Sequence, residues 1–418
     1  MLLCFLAGAF ASPNVVFLSV DTLRADALGC YGYAKSTSPN IDRLAEQGQV
    51  FDDCVCDVPL TAPSFGAMLT SLYPRMTGTH RNGLTMPESV TTVTQLFKDA
   101  GYHTFCVQSN WTLKGDLSRL NRGFDRYDDD FHKRRWGFIK PERYADEVTR
   151  IALRLLDERD PVKPLFCWIH YSDPHAPYRY HRRFDPTEIP LRKLDDVARA
   201  RAKYDSEVAY ADHHIGRLLE ALPTENTVVV FVADHGESLY EHDYLGHGRR
   251  VYQPGVRIPL IIRGPGIQPG RTKIRARGID VGPTLLGLAG LPAASGMLGA
   301  DLMNGAVPHD RARVIETYGG AVPKLPGARA LMAERPPMRQ GILLDGWKLI
   351  LDGSEAELFF LPEDPLEERN LAAAHPEKTS QLAEQIASWD AQTPKGVFED
   401  GELTKQDIRA LESMGYLD

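Results

Sequence analysis

Five short apolar runs recur along the chain, at Val15–Val20, Thr104–Gln108, Leu165–Tyr171, Val228–Ala233 and Pro259–Ile262. None alternates strictly between apolar and polar, the pattern expected of strands covered on both faces. Between them lie segments with apolar residues three and four apart. "PNIDRLAEQG" opens on Pro39 and Asn40 and stops at Gly48, and "TVTQLFKDAG" stops at Gly101. "ERYADEVTRIALRLLDERD" and "KYDSEVAYADHHIGRLLEALP" carry the same helical period. Strands alternating with helices predict an α/β fold with a doubly wound, mostly parallel central sheet. After about residue 330 the pattern changes. "MRQGILLDGWKLILDG" and "AELFFLPEDP" predict antiparallel hairpins, and "PEKTSQLAEQIASWDAQ" a closing helix. The expected organisation is a segment over 1–11, a main α/β domain over 12–330 and a smaller C-terminal α+β subdomain over 331–418.

Length and composition narrow the partners. A chain of 418 residues, 43% hydrophobic and 25% charged, is ordinary for a globular protein. Its net charge of −8 argues against a nucleic-acid partner, because a phosphate-backbone binder is normally basic. The six cysteines are scattered without zinc-site spacing and read as buried thiols. The first eleven residues are apolar and end on Ala9-Phe10-Ala11. They read equally as the remnant of an export signal, which makes a periplasmic or extracellular protein the expectation and a cytoplasmic one the alternative, or as an extension of the first strand. At about eleven residues they fall short of the ~20 needed to span a bilayer.

Candidate chemistry comes from where the strands end. The runs end in Asp21-Thr22, in Ser109-Asn110, in "SDPHAP" with Asp173 and His175, and in Asp234-His235, with His247 following. In an open parallel sheet, ligands bind beyond the C-terminal strand ends. Each cluster alone has a plain reading: Asp21 caps a helix, "DHG" is a turn, His175 is a loop histidine. Four of them on one rim predict a metal site. "DVPLTAPSFGAMLTSLYP" adds Thr61 at a helix start, where unpaired N–H groups attract anions. Asp212-His213-His214 sits mid-helix and reads as a solvated face.

From Asn14 to about Trp389 the chain resembles the sulfatase family of the alkaline phosphatase superfamily. The likeness rests on "NVVFLSVDTLRADALGCYGY", "TSPNIDRLAEQGQVF", "APSFGAMLTSLYP", "SDPHAPY", "VADHGE", "RIPLIIRGPG", "DVGPTLLGLAGLP" and "ELFFLPEDPLEERNLA", in family order. The resemblance implies an ester hydrolase with a metal at the strand ends. It also exposes departures. The family's nucleophile is a Cys or Ser oxidised to formylglycine and followed by Pro-Ser-Arg. Here the stretch is Thr61-Ala62-Pro63-Ser64-Phe65, so neither the aldehyde nor the arginine is present. Family pairs of Asp-Asp and Asp-Asn appear as Asp21-Thr22 and Asp234-His235, and a family lysine falls at His247. The set is similar to the superfamily's phosphoethanolamine transferases and nucleotide pyrophosphatases, which use a metal-activated threonine.

These readings give a concrete expectation. Asp21, Thr61, Asp234 and His235 hold a divalent ion. Zn²⁺ is expected because imidazole favours it, with Mn²⁺ or Ca²⁺ as alternatives. His175 and His247, with Asp173, hold a second ion or protonate the leaving oxygen. Asn110 and the helix N–H groups cradle the transferred group. The expected reaction is hydrolysis of a phosphate or sulfate ester, phosphate favoured, on a small-molecule, glycan or lipid substrate. Sulfate-ester hydrolysis without formylglycine and a non-catalytic binding module are the rivals.

Overall fold

The computed structural model describes residues 12–131, 142–320, 335–396 and 403–416, apart from Glu188, His309 and Gly415. The possible export segment and the basic "HKRR" stretch lie outside these residues.

The central sheet has nine strands. Its main path contains β1 (Asn14–Val20), β2 (Gln49–Val55), β3 (His103–Val107), β4 (Arg126–Asp128), β5 (Leu165–Tyr171), β6 (Thr227–Ala233), β7 (Leu260–Arg263) and β8 (Gly270–Arg277). The order is β8-β2-β7-β6-β1-β5-β3-β4, with Arg257–Ile258 beside β2. Strand β1 lies at the centre, parallel to both β5 and β6. Every residue of β5 and β6 is buried, which is why their sequences are nearly continuous apolar runs. Strand β7 is antiparallel to β6 and β2, so the sheet is mixed.

Helices α1 (Pro39–Glu46), α2 (Thr61–Thr70), α3 (Val93–Asp99), α4 (Ala145–Glu158), α5 (Asp196–Ala221) and α6 (Val281–Leu288) accompany this sheet. The strongly amphipathic α4 buries Val148, Ile151, Ala152, Leu155 and Leu156. Helix α2 is buried at all ten positions, because it carries the loop that reaches the strand ends. Asp212 and His214 on α5 are buried, not a solvated face. The Asp212 carboxylate accepts from the backbone of Asn40 and Ile41, at the first turn of α1. Burial pushes its pKa up to about 6. It is a helix cap supplied across a packing interface.

A second, four-stranded antiparallel sheet runs β9 (Arg313–Thr317), β10 (Arg339–Leu344), β11 (Trp347–Asp352) and β12 (Glu355–Phe360) in sequential order. Its first strand comes from before residue 331, so the subdomain begins earlier in the chain than the change in pattern suggests. Helix α7 (Pro376–Gln392) packs Leu382 and Ile386 onto this sheet. A further helix, α8 (Lys405–Ser413), follows; the hydrophobic pattern alone does not single it out.

A buried cluster of carboxylates and imidazoles at the strand ends

Parallel register brings three of the polar clusters to one level. Val20 pairs with Tyr171 on one side and Ala233 on the other, so Asp21, Ser172 and Asp234 leave the sheet together. The chain then turns sharply. Thr22 takes a left-handed conformation (φ 53°), an uncommon one for a β-branched residue. Its N–H donates to Asp234 Oδ1 at 3.1 Å, and its carbonyl accepts from Tyr204 at 2.8 Å. Gly236 follows His235 because a Cβ there would stand 2.0 Å from the Pro254 carbonyl.

Asp21, Thr61, Asp234 and His235 are each fully buried. One atom each from Asp21, Asp234 and His235 falls within a 4.8 Å circle. His235 Nε2 lies 3.3 Å from Asp234 Oδ2, 3.8 Å from Asp21 Oδ1 and 3.4 Å from Thr61 Oγ1. Its other nitrogen, Nδ1, is 2.9 Å from the Gly236 carbonyl, which can only accept. Nδ1 therefore carries the proton, and Nε2 turns a lone pair toward two carboxylate oxygens. Neither Asp21 Oδ1 nor Asp234 Oδ2 has a hydrogen-bond partner among the described residues. Burial and the neighbouring His247 hold the His235 pKa down to about 3, which keeps its ring neutral. Burial opposes ionisation of Asp21, yet His175, His170 and His235 hold its carboxyl well below the usual range. Burial and the Asp21 charge push Asp234 well above it. Two carboxylates and a lone pair converging without a donor fit a divalent cation, with Thr61 as a fourth oxygen.

The surroundings orient these groups. Asn110 Nδ2 donates to Asp21 Oδ2 at 2.6 Å, and its carbonyl accepts from Thr112, so Asn110 braces a carboxylate. Most of the expected cradle of helix N–H groups is already committed. Ala62 donates to Asn82 and Ser64 to the Leu60 carbonyl, while Pro63 has no N–H. Phe65, at the family's arginine position, turns into the core, 4.8 Å from the Trp168 ring and edge-on to Phe17.

His170 is an addition that the sequence hides inside an apolar strand. Ser19 Oγ accepts from Trp168 Nε1 and lies 3.0 Å from His170 Nδ1, to which its hydroxyl can donate. The His170 Nε2–H then faces Asp21 Oδ2 at 3.6 Å.

His175 and His247 meet on the far side of the cluster. Each Nδ1 stands beside a carboxylate: Glu142 at 2.7 Å from His175, and Glu237 at 3.1 Å from His247. Both Nε2 atoms approach one oxygen, the Tyr416 hydroxyl, at 3.0 and 3.1 Å. Burial opposes protonation of His175, but Tyr416, Glu142 and Asp21 outweigh it and raise its pKa well above the ordinary value. Asp173 does not join this pair, contrary to expectation. Its Oδ2 accepts from the Ala145 N–H that opens α4, and it groups with His181 and Glu207. Burial and the Asp173 charge push the Glu207 carboxyl well up, so that pair can share a proton without a metal.

Comparison with known proteins places the architecture. The sulfatase family model matches residues 13–291. An ulvan-active sulfatase of Formosa agariphila is 28% identical, over 75% of this chain and 70% of its own length. An N-acetylglucosamine-6-O-sulfatase of Bacteroides thetaiotaomicron is 25% identical, over 96% and 90%. Among solved structures, a protein bound to D-glucosamine-2-N,6-O-disulfate superposes with a TM-score of 0.74 at 22% identity, covering 91% of this chain and 98% of that one. A phosphonate monoester hydrolase of Agrobacterium radiobacter gives 0.71 at 21%, covering 94% and 98%. Among the described residues, no helix is long and apolar enough to cross a membrane.

Proposed function

This chain belongs to the sulfatase family of sulfate and phosphate ester hydrolases, and from that premise we propose that it cleaves phosphate esters with Thr61 as nucleophile on a transition-metal site. The observation that carries the reading is the donor set. His235 turns a neutral Nε2 toward two carboxylate oxygens that have no hydrogen-bond partner among the described residues, beside the Thr61 hydroxyl. A nitrogen ligand favours Zn²⁺ over Ca²⁺. A divalent ion held by Asp21, Asp234, His235 and Thr61 supplies Lewis acidity that lowers the hydroxyl pKa and screens the charge of the ester.

The chain's own groups do the rest. Thr61 gives its proton to bulk water and attacks phosphorus in line as the bond to the leaving oxygen breaks. His175, held protonated, gives its proton to that oxygen. The neutral imidazole then takes a proton from water, whose oxygen cleaves the phosphothreonine and frees Thr61 and phosphate. Asn110 and His170 hold Asp21 in place. Phosphate is favoured over sulfate because the arginine position is filled by Phe65, packed among Phe17 and Trp168. His175 and the metal then supply positive charge to the site.

The competing reading is sulfate-ester hydrolysis without formylglycine, favoured by the names of the relatives, several of which act on glycan sulfates. One leaving group presented as phosphate monoester, phosphodiester and sulfate separates the two. We expect kcat/KM to be higher for a phosphoester than for the sulfate with zinc-loaded protein. A clear advantage for the sulfate would reverse the assignment.

A further inference from the structure

The proposed nucleophile and its metal ligands are fully buried, so no ester reaches Thr61 in this conformation. Part of what covers them is the C-terminal segment. Thr404 caps α8 in a reciprocal box with Asp407. Asp407 also accepts from Trp111 Nε1 at 3.0 Å. Leu411 and Tyr416 pack against Val58 and Leu60, just before Thr61 in the chain. Past the end of α8 the Tyr416 ring enters the site, 6.1 Å from the His175 ring and 5.9 Å from the His247 ring.

The phenol oxygen sits at one point on which two imidazole Nε2 atoms converge. A phenol has one proton, so it accepts from one ring and donates to the other. Each ring is backed by its own carboxylate, giving a line of Glu142, His175, Tyr416, His247 and Glu237. That point lies beside the proposed metal ligands, His247 being ring-to-ring with His235 at 4.5 Å. A group attacked by Thr61 would bring its own oxygens toward these two nitrogens. Tyr416 and a bound ester therefore compete for the same place.

We propose that α8 together with Tyr416 is an internal competitor of the substrate, the Tyr416 hydroxyl holding the position of an ester oxygen until the substrate displaces it. This inference rests on the reading that Thr61, His175 and His247 surround the reacting centre. Its consequence is quantitative. If the open form is about one tenth of the population, apparent affinity for an oxyanion is reduced about tenfold. The Tyr416→Ala protein regains that factor.

The test is hydrogen–deuterium exchange of the full-length zinc-loaded protein, with and without inorganic phosphate, and separately with sulfate. The anion is expected to speed exchange within 404–416 while leaving β1, β5 and β6 unchanged. By calorimetry, Tyr416→Ala should bind the same anion about tenfold more tightly. In turnover its KM should fall by a similar factor. Asp407→Ala, which loosens the far end of the segment without touching the site, should move in the same direction by less. Anion binding that leaves exchange in 404–416 unchanged overturns the competitor alone. So does a Tyr416→Ala protein with lower kcat and unaltered KM, since the phenol would then serve turnover. Failure of wild type and both variants to bind either anion overturns the assignment of the site itself, and the competitor with it.

Discussion

Replacing Asp234 by asparagine should change stability in opposite directions with and without metal. Asp234 Oδ1 accepts from the N–H groups of Thr22 and His235, and an asparagine carbonyl keeps both bonds. The new amide would stand where Oδ2 now lies, 3.3 Å from the His235 Nε2 lone pair and facing Asp21 Oδ1. It donates to Asp21 Oδ1 whatever the pH, and it removes the like-charge repulsion that arises whenever Asp234 ionises beside Asp21. At the 4.8 Å limit of the cluster, that repulsion is about 3.5 kcal/mol at an effective dielectric near 20. Proton uptake by Asp234 relieves part of it in the wild type, which leaves a gain of about 2 kcal/mol for the metal-free variant. For 418 residues the unfolding entropy is on the order of 0.9 kcal/mol per degree, so Tm rises by ~2 °C. With metal the sign reverses. An ion at a thousand times its Kd stabilises the wild type by about 4 kcal/mol, or ~4–5 °C, and the variant loses most of that. Scanning fluorimetry of chelator-treated and zinc-loaded proteins reads both signs. Equal responses of wild type and variant to zinc would refute the cation site.

Other consequences follow from single positions. Phe65→Ala should cost about 3–5 kcal/mol, because it empties a fully buried aromatic site between Phe17 and Trp168; denaturant unfolding measures it, and a loss below about 1 kcal/mol would contradict the packing described. Asp57, just before the nucleophile, has its pKa pushed up to about 7 by burial, with Asp280 adding to the rise. Its folded pKa exceeds its unfolded value, so the folded state binds the extra proton, and the stability this gives is lost as pH rises from about 4 to 7. The melting temperature of Asp57→Asn relative to wild type should therefore climb between pH 4.5 and pH 8; a constant difference would contradict the shift.

Much of the architecture was legible because burial on both faces leaves a local trace. Strand β5 and helix α7 have the boundaries that their apolar runs and caps imply. Strand β2 left no such trace, since Asp52 and Asp53 interrupt its apolar residues. The direction of β7 is not written in its composition either, because an apolar run reads alike in parallel and antiparallel pairing. Asp21, Asp234 and His235 could be placed together because consecutive parallel strands must end on one rim. Tyr416 could not. It meets His175 and His247 across 241 and 169 residues of chain, through a short, partly polar helix that nothing nearby in the sequence ties to the site. The occupied helix mouth was equally hidden, since the acceptor for Ala62 is Asn82, in a loop beyond α2.

The central claim is that Thr61 carries the transferred group. Rapid mixing of zinc-loaded protein with an activated aryl phosphate, acid quench and peptide mass spectrometry addresses it directly. The account predicts one added phosphoryl group on the peptide that contains Thr61, and its disappearance in Thr61→Ala together with a loss of turnover of about 10³-fold or more. A phosphoryl group on any other residue, or wild-type turnover in Thr61→Ala, would contradict it.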